Sequence, residues 1–173
     1  MSDPTAHLVR RLARYRVRLG FAAAVAALWL ARPTAGSLVA GAAIALVGEG
    51  LRIWAAGHLE KGREVTASGP YRLSRHPLYL GSAIIGVGFA VASASAAAAA
   101  LVLVYLVLTY GAAIRSEEAH LTEKFGAAYP EYKEGRSAPA ERRFSLERAV
   151  RNREYRAAAG LLLVLALLGW KVL

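Results

Sequence analysis

The chain has 173 residues, no cysteine, a net charge of +10 and a 56% hydrophobic composition. That length implies one domain, and the missing cysteine excludes disulfides, thiolate metal sites and cysteine nucleophiles. Apolar bulk joined to basic charge fits a membrane protein or a helical nucleic-acid binder, so the placement of the charges decides.

In chain order, Arg10, Arg11, Arg14, Arg16 and Arg18 precede a first apolar run from about Leu19 to Ala31. Arg32-Pro33 stands where a signal-peptide cleavage site would need small residues, so this run reads as a retained helix. A second run extends from Gly36 to about Ala56 and holds Glu49 and Arg52, which read as a buried ion pair. The competing reading has Gly48 and Gly50 opening space there for a ligand. The third run, Leu78 to Ile114, is too long for one crossing at about 20 residues, and the break "ASASA" at 92–96 divides it into a hairpin. A basic stretch, Arg142 to Arg156, interleaves Phe144, Leu146 and Val150 and reads as lying along an anionic membrane surface. A last apolar run, Ala157 to Leu173, closes the chain. The expected fold is all-α: one domain over residues 1–173, a polytopic membrane bundle of about five transmembrane helices, its cytoplasmic side carrying a cofactor-binding cap.

Orientation follows from lysine and arginine. With the N-terminus inside, segments 1–18, 57–77 and 115–156 are cytoplasmic and hold nineteen of the twenty-two basic residues. This is the positive-inside pattern. A nucleic-acid binder would gather its charge on one continuous face instead, so a lipid bilayer is the expected partner and nucleic acid is not.

The reactive side chains also gather on that side. "GPYRLSRHPLYLG", residues 69–81, runs from a Gly-Pro turn into a helix that starts at Pro77. The free N–H groups of that helix, with Arg72, Arg75 and His76 beside them, suit an anion; the plainer reading has the arginines anchoring the loop to lipid headgroups. In "RSEEAHLTEKFGAAYPEYKEGR", residues 115–136, Glu117 and Glu118 diverge by about 100° around a helix and look at different partners. Arg115 and Glu118, three apart, are expected to pair. Glu117 has no such local cation, and an unpaired carboxylate suits ribose hydroxyls or a bound cation. Phe125, Tyr129 and Tyr132 around a Gly and a Pro suit either a lid over a flat ring or interfacial anchoring. His7, His58 and His120 have no ligand spacing, so no metal site is expected.

The two segments, in this order and a hairpin apart, resemble the isoprenylcysteine carboxyl methyltransferase and phospholipid methyltransferase superfamily. Its pattern is GPYxxxRHPxYxG, then EExxL and FGxxYxxY; here the second part is Glu117-Glu118-Ala119-His120-Leu121 and Phe125-Gly126-Ala127-Ala128-Tyr129-Pro130-Glu131-Tyr132. The likeness spans about residues 48–135. It implies an integral membrane methyltransferase with S-adenosyl-L-methionine as cofactor and a lipid-like small-molecule acceptor, an isoprenylcysteine-like carboxylate or a phospholipid amine. It further implies that Tyr71, Arg75, His76, Tyr79 and Gly81 line one wall of the cofactor pocket and Glu117, Glu118 and Leu121 the other. Tyr129 would help cap it, Arg115 would hold the acceptor, and Glu118 would take a proton from an amine. Two other classes compete: a non-catalytic carrier or scaffold using Glu49 and Arg52, and a membrane reductase binding NADPH. The polar groups gather at one mouth rather than at the bilayer midplane, which argues against a carrier. No second basic cluster for a dinucleotide phosphate is evident, which argues against the reductase.

Overall fold

The computed structural model describes residues 18, 20–136 and 142–173. The basic segment bearing Arg10 to Arg16 lies outside them, as does His7. The described residues form α1 (Gly20–Leu30), α2 (Ala35–His58), α3 (Pro77–Ser93), α4 (Ala96–Phe125), α5 (Ala128–Lys133), α6 (Leu146–Arg151) and α7 (Tyr155–Trp170), with a 3-10 turn at Gly69–Arg72. No strand occurs among them. Every expected apolar run is a helix. By length and composition, α2 and α4 are the two able to cross a membrane, while α1, α3 and α7 are shorter apolar helices.

Local chemistry sets the ends. Thr34 caps α2 in a reciprocal box: its Oγ1 accepts from Ser37 N–H at 3.1 Å, and Ser37 Oγ accepts from Thr34 N–H at 2.9 Å. The α3–α4 hairpin turns at Ala94, in the left-handed region at φ 45°, and Ser95 caps α4 by accepting from Ala98 N–H at 3.3 Å. Thirty residues make α4 about 45 Å long, beyond the roughly 30 Å of a hydrocarbon core. Its last turns therefore carry Glu117 and Glu118 clear of the apolar segment.

The main contact is α2 against α3. A Cβ on Gly48 would lie 2.6 Å from the Gly81 carbonyl oxygen, and one on Gly81 would lie 2.7 Å from the Gly48 carbonyl oxygen. Glycine at both positions lets the backbones touch, the close approach that small residues allow between apolar helices. Gly48 thus serves packing rather than a ligand, and Gly50 faces open space. At the far end, Leu168 packs with Ala31 and Ala92, and Lys171 Nζ donates to the carbonyls of Leu28 (2.8 Å) and Ala31 (2.5 Å), closing the C-terminus of α1. Phe21, Trp29, Val39, Val107 and Leu162 point outward and exposed. An apolar exterior of this kind is expected where lipid is the solvent.

Gly48→Ala should destabilise the protein by about 1–3 kcal/mol, because its methyl meets α3 backbone that must move. Gly50→Ala, with room for the methyl, should be neutral or slightly stabilising. Thermal unfolding of both variants in detergent checks the contrast.

Candidate active site

The connection from α2 to α3 and the polar end of α4 build the site. After the 3-10 turn, His76 is the residue before α3 and Pro77, fully buried, takes the first helical position. Proline fits there because its missing N–H would have had no helical partner. His76 Nε2 lies 3.1 Å from Glu118 Oε1, and Lys133 Nζ lies 3.0 Å from Glu118 Oε2. Tyr132 Oη donates to the Tyr71 carbonyl at 2.7 Å. The arginine–histidine turn, the twin glutamates and the tyrosines of α5 therefore meet, tied by hydrogen bonds spanning 42 and 61 residues of sequence.

Between them lies a cleft of about 310 Å³. Its walls include Tyr71, Arg75, His76, Tyr79, Glu117, Leu121 and Tyr132, with the loop residues Glu60, Lys61 and Glu64 at one side. His76, Tyr79 and Tyr110 run along one wall as edge-on rings, with centroids 6.0 and 5.2 Å apart. Burial, and then the Glu117 charge, push the Tyr71 hydroxyl above its usual range, and burial also raises that of Tyr132. Both hydroxyls remain neutral donors near pH 7, not bases.

A second, apolar cleft of about 370 Å³ lies among α1, α3, α4 and α7, with Phe89, Val102, Leu106 and Val164 in its walls. Arg52, Ser82 and Tyr110 line both clefts. Arg52 is held there from several sides. Its Nε donates to Glu154 Oε1 at 2.6 Å, and its Nη1 donates to Ser82 Oγ and to the Leu78 carbonyl. Glu49, its expected partner, is farther, at 3.8 Å. Neither Glu49 carboxylate oxygen accepts a hydrogen bond among the described residues.

Several expectations change with these contacts. Arg115 makes no ion pair with Glu118, which is taken by His76 and Lys133. Arg115 is exposed and lines a separate concavity with Glu118 and Tyr129, outside the polar cleft. Tyr129 is buried rather than lid-like, and burial together with the nearby Glu118 charge pushes its hydroxyl up to about 12. Gly81 serves the helix crossing, where a Cβ would also meet Arg52 Cγ at 2.6 Å. The reading by residue type missed Ser82, Tyr110 and Glu154. Arg52 stood in plain view but was paired with its neighbour in sequence; Glu154, 102 residues away, left no local signal.

The basic stretch also departs from a simple surface role. Glu60 receives Arg148 Nε at 2.8 Å and Arg151 Nη2 at 3.1 Å, while Arg142 pairs with Glu64 at 2.6 Å. Asn152 Nδ2 donates to the carbonyls of Ala56 and Leu59 at 2.9 Å, and Arg148 Nη1 to that of Gly57 at 2.5 Å. These groups satisfy the free carbonyls at the C-terminus of α2 and strap the cleft loop down.

Residues 36–128, just over half of the chain, match the phospholipid methyltransferase family. The chain belongs to this isoprenylcysteine and phospholipid methyltransferase family and is a membrane-associated helical protein. It is also similar to the cobalt-zinc-cadmium resistance protein CzcN of Cupriavidus metallidurans, with 35% identity over 103 residues, 58% of this chain and 44% of that protein. The match thus spans less than half of that relative's length. No solved structure matches.

The hydrogen bond from Arg148 holds Glu60 below the usual carboxylate range, so the strap contributes stability above that range and loses it as pH falls through the depressed value. Wild type should therefore exceed Glu60→Gln in stability at pH 7, with the gap closing only below about pH 4. Thermal unfolding across pH measures it.

Proposed function

We propose that this protein is an integral, multi-pass membrane methyltransferase that moves the methyl group of S-adenosyl-L-methionine to a lipophilic acceptor. The observation that carries the reading is the shared wall: one guanidinium, one hydroxyl and one phenol belong to both a polar and an apolar cleft. A charged nucleoside suits the first and a hydrocarbon chain the second, so their reactive ends would meet at Arg52, Ser82 and Tyr110. The polar cleft's donor set fits the cofactor. Arg75 and Lys61 suit its carboxylate, Glu117 its ribose hydroxyls or ammonium, and Tyr71, Tyr79 and Tyr132 the adenine ring.

The bound cofactor supplies an electrophilic methyl group, and transfer is an in-line displacement. The protein's part is alignment and the exclusion of water. Arg52 would hold the acceptor's polar head at the shared wall. A carboxylate acceptor needs no base there; an amine must arrive deprotonated or give its proton to water or a carboxylate. Glu118 would chiefly orient His76 through their hydrogen bond. Arg115 is the guanidinium to which the family resemblance points for the acceptor. The positive-inside pattern supports a cytoplasmic mouth for the polar cleft. The acceptor would enter from the bilayer and the cofactor from water.

S-adenosylhomocysteine at about 100 times its dissociation constant should stabilise the purified protein by about 2.7 kcal/mol. NADPH should leave it unchanged; a shift with NADPH alone would overturn the proposal. Glu117→Ala should weaken S-adenosylhomocysteine binding by about tenfold, the loss expected for a charge-assisted hydrogen bond. Arg52→Lys keeps the partly buried charge and should spare that binding while lowering methyl transfer from labelled cofactor into a lipid extract. Comparing it with Arg115→Ala separates the two guanidinium candidates for the acceptor.

A further inference from the structure

A second cationic concavity lies away from both clefts, at the polar end of α2. Arg72 of the 3-10 turn and Arg142 and Arg143 ahead of α6 converge on an open hollow of about 510 Å³. Beneath them runs an aromatic row: the rings of Trp54, His58 and Phe144 stand in sequence with centroids 6.4 Å apart at each step. Gly57 and Gly69 admit this row, since a Cβ on the first would collide with the Phe144 ring and one on the second would lie 2.6 Å from the His58 ring.

Arg142 pairs with Glu64, but the Arg72 and Arg143 side chains have no acidic partner among the described residues and stand exposed. Apolar side chains flank them: Leu73 is 83% exposed, and Trp54 and Phe144 are about half so. Exposed guanidinium groups beside an exposed leucine and tryptophan, at the polar end of a helix able to cross a membrane, make an interfacial arrangement. The cations meet headgroups while the flanking side chains meet the first methylenes of the tails.

We propose that this hollow binds the headgroup of an anionic phospholipid from the surrounding bilayer. Two guanidinium groups without an acidic partner among the described residues match the negative charge of a phosphodiester, which a guanidinium can bind bidentately. A zwitterionic headgroup carries its own cation and is disfavoured in the same place. The hollow lies outside the shared wall and needs no methyl acceptor, so its occupant is a lipid held, not a lipid changed. Its segment at 142–143 lies beyond the residues that match the family.

The full-length protein in dodecyl maltoside tests this by thermal unfolding with added phosphatidylglycerol, phosphatidylcholine of the same acyl chains, or inorganic phosphate. Phosphatidylglycerol should raise the midpoint, and the other two should not. The double variant Arg72→Gln/Arg143→Gln should lose the shift, Arg72→Lys/Arg143→Lys should largely restore it, and Lys124→Gln/Arg136→Gln, with the same charge removed elsewhere, should keep it. The site is refuted if the first double variant responds like wild type, or if the control variant loses the shift as fully. An equal response to phosphatidylcholine refutes the charge match, and an equal response to inorganic phosphate refutes the lipid assignment. Although the sequence groups Arg72 with Arg75 and His76, neither Arg72 nor Arg143 lines the polar cleft, so S-adenosylhomocysteine stabilisation of the same variants should be unchanged, which keeps failure here distinct from failure of the methyltransferase reading.

Discussion

The backbone contact between α2 and α3 governs the rest of this molecule. With glycine at 48 and 81, the two helices approach until each carbonyl oxygen lies only 2.6 to 2.7 Å from where the other's Cβ would be. That proximity lays the Arg52 stem across Gly81 and delivers its guanidinium to Ser82 and the Leu78 carbonyl on the neighbouring helix. A charge in an apolar bundle is tolerated only with such partners. Once held, it forms the border between a polar and an apolar cleft, and its place there follows from helix packing together with the contact from Glu154.

The cleft loop is stabilised from outside the family's matched region. The carbonyls of Ala56, Gly57 and Leu59 at the end of α2 receive donors from Asn152 and Arg148, and Glu60 and Glu64 pair with Arg148, Arg151 and Arg142. The same segment supplies Glu154 to Arg52. One short stretch thus caps a helix, restrains a pocket wall and fixes the charge at the shared border. Its basic composition serves internal carboxylates and carbonyls first, leaving Arg143 with its neighbour Phe144 to face outward.

Helix existence was legible because apolar runs bounded by Arg-Pro, Gly-Pro and Ser-Ala breaks have few other ways to satisfy their backbone in lipid. The turn at Gly69 and the start at Pro77 were legible too, since each rests on a single residue's conformational restriction. The convergence of His76 with Glu118 was implied by the ordered motifs. The partner of each charge was not. Arg115 and Glu118 share a helix face, yet a histidine and a lysine from other elements win Glu118; Glu49 stands three residues from Arg52, yet Glu154 has the shorter contact.

The sequence by itself determined the helical class, the sorting of basic residues to alternate segments and the residue types at the cleft, because periodicity, turn chemistry and composition act over a few neighbouring residues. Tertiary structure alone decided that Gly81 serves a helix crossing, that Tyr129 is buried while Tyr132 faces the cleft, and that Arg52 borders both clefts. Those outcomes depend on which surfaces meet across 30 to 100 residues of chain. Distance and dielectric at the meeting point, not spacing along the sequence, set the winning contact.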